Sequence, residues 1–188
     1  MAAGGATGGD VLVFADGLPP VRAADLVGRW RGSELPTGHR LDGLLASCGW
    51  YGKDVVDAET VHPLLFADRA GMPRPVDPAL APLGLLRDRT WLARTRAARA
   101  AFAGLRPLLS TRRPAARVRE VRHRGVLTAA IVYDRLPVID AFRRIGDGTV
   151  LGLMDLRGMP EPFPFVLRRE VSAGRRTSGP AGRSPRPG

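Results

Sequence analysis

The pentapeptide Gly28-Arg29-Trp30-Arg31-Gly32 limits what this chain can become. In an extended strand side chains alternate, so positions 28, 30 and 32 share one face. The indole then stands there with no side chain beside it along the strand, leaving room for a second ring or a backbone to lie flat against it. Glycines also let a strand bend sharply, as a sheet must when it curls into a barrel. The segment predicts a first strand entered from a short helical turn over residues 23–27, with Trp30 buried near a barrel end.

The rest of the chain alternates strand patterns with a few helical ones. Leu41, Leu44, Leu45 and Cys48 recur at helical spacing before Gly49, which predicts a helix ending there. Residues 50–56 and 60–66 read as strands. The stretch 72–78 carries three prolines that cannot donate to a ladder, so it predicts a frayed edge or an open barrel. Between Asp88 and Leu109 the period becomes 3.6: Trp91, Ala98, Phe102, Leu105 and Leu109 share a face, and Arg89, Arg96, Arg99 and Arg106 form a stripe. Asp88 or Thr90 would cap that helix, and Pro107 would kink or end it. Strands follow at residues 117–123 and 126–134. Val138, Ala141, Phe142 and Ile145 line up helically, although so short a run also fits a strand. Strands at 149–156 and 163–169 complete the pattern.

Two runs carry a family resemblance. GRWRGSELPTGHRLDGLLASCGWYGK, continuing to HPLLF at His62–Phe66, resembles the GXWXG domain of bacterial proteins. YDRLPVIDAFRRIGDGTVLGLMD at Tyr133–Asp155 resembles the domain of unknown function that commonly follows it. The resemblance covers residues 24–170. It implies a mainly β fold with some α (β+α), a calycin-like antiparallel β-barrel with a few covering helices, related in shape to lipocalins and fatty-acid-binding proteins. The expected organisation is a disordered N-terminal tail over 1–10 and the GXWXG part of the barrel over 11–86. A basic amphipathic helix follows over 87–111, then the C-terminal part of the barrel over 112–170 and a disordered basic tail over 171–188.

The net charge is +11, yet Lys53 is the only lysine among 29 basic side chains. With abundant Ala, Gly and Pro, that bias is what a GC-rich coding sequence gives without selection for nucleic acid. The excess is local: residues 87–124 carry 12 basic and 2 acidic groups. This predicts a basic surface patch and transient contact of residues 87–111 with anionic membrane surface. Trp91 and Phe102 sit on the apolar helix face instead of interleaving with the arginines, so no specific nucleic acid is expected. The lone Cys48 reads as a small core residue. The sequence has no signal-peptide pattern and no apolar run of spanning length, so cytoplasm is the expected location.

No P-loop, Rossmann fingerprint, nucleophile elbow or His-x-x-x-His pair is present, and neither cofactor nor metal is expected. The expected function is non-catalytic binding of a lipid or other apolar small molecule, acidic or neutral, in the barrel cavity. Both faces of the strand over 126–133 are apolar. Val126, Thr128, Ala130 and Val132 form one, and Leu127, Ala129, Ile131 and Tyr133 form the other. Arg117 or Arg119, if inward, would need an anionic partner such as a ligand carboxylate. The candidate ligand-binding residues are Trp30, Arg117, Arg119, Val132, Tyr133, Phe142, Met154 and Arg169. Two alternatives accompany this reading. One is a haem-binding barrel, since nitrobindin-like proteins share the GxW start, with His123 as ligand. The other is an enzyme in which Asp134, Asp140 and Asp155 converge as acid and base. In calycins an Arg from the final strand lies across the first-strand Trp. Alternation of Phe163, Phe165 and Leu167 places Arg169 on that face and Arg168 on the other.

Overall fold

The computed structural model describes residues 5–80 and 95–171, apart from the side chain of Arg99. The caps expected at Asp88 and Thr90, Trp91 and Arg89 of the helix faces, and the tail beyond Val171 lie outside the described residues. Nine strands form one antiparallel sheet: β1 (Gly28–Glu34), β2 (Trp50–Val55), β3 (Val61–Ala67), β4 (Pro73–Pro75), β5 (Ala116–His123), β6 (Val126–Tyr133), β7 (Val138–Gly146), β8 (Thr149–Leu156) and β9 (Phe163–Arg169). Their order is β2-β1-β9-β8-β7-β6-β5-β3-β4, and β2 also pairs with β3. That pairing closes the sheet into a calycin-like barrel, with β4 attached to β3. The proline-rich stretch therefore forms a short edge strand, pairing through Leu65↔Pro75, Phe66↔Arg74 and Ala67↔Pro73. Beside it the seam is narrow, because β3 meets β5 at Val61↔Ala116 alone.

Among the described residues three α-helices cover the barrel. α1 (Gly8–Asp16) starts in a capping box between Thr7 and Asp10, so residues 8–10 of the range expected to be disordered form the locally satisfied first turn of a helix. It packs Val11 and Ala15 on Leu151 and Leu153, the outer face of β8. α2 (Leu44–Ser47) is shorter than the helix expected from the apolar spacing. Residues 39–43 form turns instead, held by Asp42 N–H to His39 O and Leu44 N–H to Leu41 O. Among the described residues α3 spans Arg96–Leu109, with Thr95 as its N-cap, and it continues past Pro107. It docks through Phe102 on Phe66, with ring centroids 5.1 Å apart.

The run from Val138 to Ile145 is strand β7, not a helix. Its pairing with β8 is continuous from Val138↔Leu156 to Arg144↔Val150, and tertiary ladders override so short a helical pattern. At one end β6 and β7 separate, and residues 19–21 wedge between them. Pro19 O accepts from Arg144 N–H, Val21 O from Ala129 N–H, and Thr128 Oγ1 donates to Phe142 O at 2.6 Å. The core is the barrel interior, filled by Trp30, Trp50, Phe142, Phe163, Phe165 and Leu167 among others.

Candidate binding site in the barrel interior

Trp30 is 1% exposed and its Nε1–H donates to Leu26 O at 2.7 Å. The Arg169 guanidinium lies 4.2 Å from the indole centroid, and its Nη1 and Nη2 donate to Val27 O and Asp25 O. Arg168 is exposed. β1 and β9 are paired here through Trp30↔Arg169, so the stack fastens the first strand to the last. The flanking glycines supply space. A Cβ at Gly28 would overlap the Arg169 guanidinium, and one at Gly32 would overlap the Trp50 ring.

Lys53 was invisible as a site residue in the sequence. Strict alternation from an inward Trp50 points Lys53 to solvent. The ladder between β2 and β3 instead shifts register between Trp50 and Gly52 and again between Gly52 and Asp54. This bulge re-aims the following side chain. Gly52 takes a φ of 149°, and any Cβ there would overlap the Trp30 carbonyl oxygen. Trp50 and Lys53 consequently both point inward and are 7% and 2% exposed.

Inside, the Lys53 ammonium meets three acceptors: Asp140 Oδ2 at 2.7 Å, Pro63 O at 3.1 Å and Tyr133 Oη at 3.1 Å. Tyr133 in turn donates to Asp140 Oδ2 at 3.1 Å. Phe165, Tyr133 and Trp50 surround the ammonium, with centroids 5.0, 5.6 and 5.9 Å away, close enough for their negative faces to stabilise a cation. Burial, then the Asp140 charge, pushes the Tyr133 phenol well above its ordinary range, so it remains a proton donor. In this compartment Asp140 Oδ1 and Trp50 Nε1 have no hydrogen-bond partner; elsewhere the same holds for buried atoms of Thr37, His62, His123 and Arg143. An unpaired group of this kind costs about 1–3 kcal/mol.

A loop over residues 35–49 packs Leu41 and Leu44 into the same core. Glu34 pins it, accepting from Gly43 N–H at 2.6 Å, Leu45 N–H at 2.7 Å and Ala46 N–H at 3.1 Å. A separate pocket of about 540 Å³ opens at the surface, bordered by Asp77, Leu109, Arg113 and Asp134 and not by Lys53.

Two family models match the chain: GXWXG protein over residues 13–71, and Domain of unknown function (DUF4334) over residues 114–169. The chain belongs to the GXWXG family and carries its companion domain. A crystal structure of a protein from Thermomonospora curvata is similar, at 31% identity over 87% of each chain with a TM-score of 0.65. No curated protein matches the chain.

Within this GXWXG barrel, Trp30, Tyr133, Phe142 and Met154 face the interior. Met154 is paired with Asp140 across β7 and β8. Arg117, Arg119 and Val132 do not face it, because β5 and β6 bury the opposite parity, Val118, Ala129, Ile131 and Tyr133. Arg117 is exposed and bonded to Asp134 at 2.8 Å, and Arg119 is exposed and paired with Glu59 at 2.8 Å. Neither needs a ligand carboxylate. His123 has the outward parity of Arg117 and Arg119 on β5, away from the barrel interior, and its carbonyl accepts from Arg143 Nη2 at 2.8 Å. The three aspartates do not converge: Asp140 is 0% exposed, whereas Asp134 and Asp155 are at the surface. Among the described residues no cluster of His, Cys, Asp or Glu could hold a metal, and no helix is long and apolar enough to cross a membrane.

Proposed function

We propose that this barrel is a non-catalytic, cytoplasmic carrier of a small, largely apolar molecule whose polar head sits against Lys53, Tyr133 and Asp140. One observation carries the reading. An ion pair lies inside an aromatic compartment, and two polar atoms of that compartment, Asp140 Oδ1 and Trp50 Nε1, have unused hydrogen-bonding capacity. Buried polar atoms are otherwise satisfied almost everywhere in folded proteins. Entry requires Trp50 to leave its seat on Gly32, or Phe165 its seat on Gly152, under the loop that Glu34 pins. The test is native mass spectrometry of the protein as purified, followed by titration with 1-decanol under Trp fluorescence. The expected results are a non-covalent mass addition and a saturable spectral change. A bare mass and no saturable response overturn the reading. The same reading keeps α3 as a transient contact with anionic membrane, supported by an exposed Arg96 and by Leu105 and Leu108 at 50% and 78% exposure on the same helix. Salt-insensitive vesicle binding would argue against it.

A further inference from the structure

Among the described residues, Lys53 and Asp140 are the fully buried charged side chains of the barrel interior; Arg144 and Arg169 lie at its Trp30 end, where Arg144 is bonded to Asp25 and Arg169 to Val27 O and Asp25 O. Arg143, also buried, has the outward parity of β7 and donates to His123 O. Lys53 and Asp140 compensate each other at 2.7 Å, with side chains 3% and 1% exposed. All three ammonium protons are engaged, by Asp140, Pro63 and Tyr133, so none is left for a ligand. Asp140 Oδ2 already accepts two hydrogen bonds, while Oδ1 accepts none. The unused capacity is therefore one acceptor on a carboxylate and one donor on the Trp50 indole.

From this balance, and resting on the carrier reading above, we infer that Asp140 makes the site specific for an uncharged head group able to donate a hydrogen bond, such as a hydroxyl, and that it rejects carboxylates. A hydroxyl can donate to Asp140 Oδ1. An ionised carboxylate has no proton to donate to Asp140, and it adds a second negative charge to a buried compartment whose own charges already cancel. This reverses the expectation of an acidic ligand held by Arg117 or Arg119, since both arginines lie outside the lumen and are already paired.

The experiment compares 1-decanol with decanoate at about pH 8, where the carboxyl is ionised. Trp fluorescence or calorimetry is the readout for wild type and for Asp140→Asn. Wild type should bind the alcohol about a hundredfold more tightly than the acid. Asp140→Asn leaves the Lys53 charge uncompensated, so decanoate should gain affinity and the order should reverse. A wild-type measurement guards against a variant that fails to fold: decanoate, with decanol as control, should bind more tightly as pH falls through the carboxyl range of about 4–5. Wild type that prefers decanoate at about pH 8 overturns the specificity claim and leaves the carrier reading standing. Binding of neither compound overturns both.

Discussion

Replacing Lys53 by Met leaves the Asp140 carboxyl, 0% exposed, with Tyr133 as its hydrogen-bond partner and no counter-charge. Removing one member of a buried pair typically costs about 3–5 kcal/mol, because the survivor is left as an uncompensated charge. For a chain of this size each kcal/mol lowers Tm by about 2–4 °C, so the melting point should fall by roughly 6–20 °C. Asp140→Leu should cost a similar amount, since the Lys53 ammonium then retains only the neutral acceptors Pro63 O and Tyr133 Oη. The double variant, Lys53→Met with Asp140→Leu, removes both charges and leaves an apolar contact among Trp50, Phe142 and Phe165. It should lie within about 1 kcal/mol of wild type, as replacement of a whole buried pair usually does. Urea unfolding of the four proteins measures the coupling directly. A single variant that loses less than about 1 kcal/mol, or a double variant whose loss is the sum of the singles, would refute the buried pair as described.

Trp30→Ala should destabilise the protein by about 3–5 kcal/mol in the same assay, since a fully buried aromatic is lost. Arg169→Ala should cost much less, and its coupling to Trp30 in a double-mutant cycle should be about 0.5–2 kcal/mol. Gly52→Ala should cost about 3 kcal/mol or more, because the added methyl collides with the Trp30 carbonyl at the bulge. A soluble variant with wild-type stability would contradict the register there. Burial, then the Arg143 charge, holds the His123 imidazole below its ordinary value of 6.5. The unfolded chain then binds a proton more readily, so stability should be full above about pH 6.5 and fall as pH drops below it. Thermal melts across that range should lose this part of their slope in His123→Gln.

Much of the frame was written locally. Gly28, Trp30 and Gly32 place one ring between two gaps, and period-two alternation is enough to send Arg169 rather than Arg168 onto that ring. The apolar runs of β6, β8 and β9 mark strands for the same reason, since strand parity is a property of the backbone alone. Parity could not say which face of β6 is the inside. That depends on the pairing with β5 and β7, and it removed Arg117, Arg119 and Val132 from the site while keeping Tyr133. The helical spacing of Val138–Ile145 yielded to two neighbouring strands, which no local pattern reveals.

Lys53 shows the limit most sharply. Its singularity among 29 basic residues was legible, but alternation from Trp50 turned it outward. Only the bulge at Gly52 reverses that direction, and the bulge exists because β2 must follow β1 and β3 at once while passing close to the Trp30 carbonyl. Its acceptors, Pro63, Tyr133 and Asp140, are 10, 80 and 87 residues away in the chain. The sequence alone determined most of the strands, their alternation and the tryptophan that closes the barrel, because these follow from neighbours along the backbone. The tertiary structure decided where the interior charges sit, because a bulge and three distant acceptors meet only when the sheet closes.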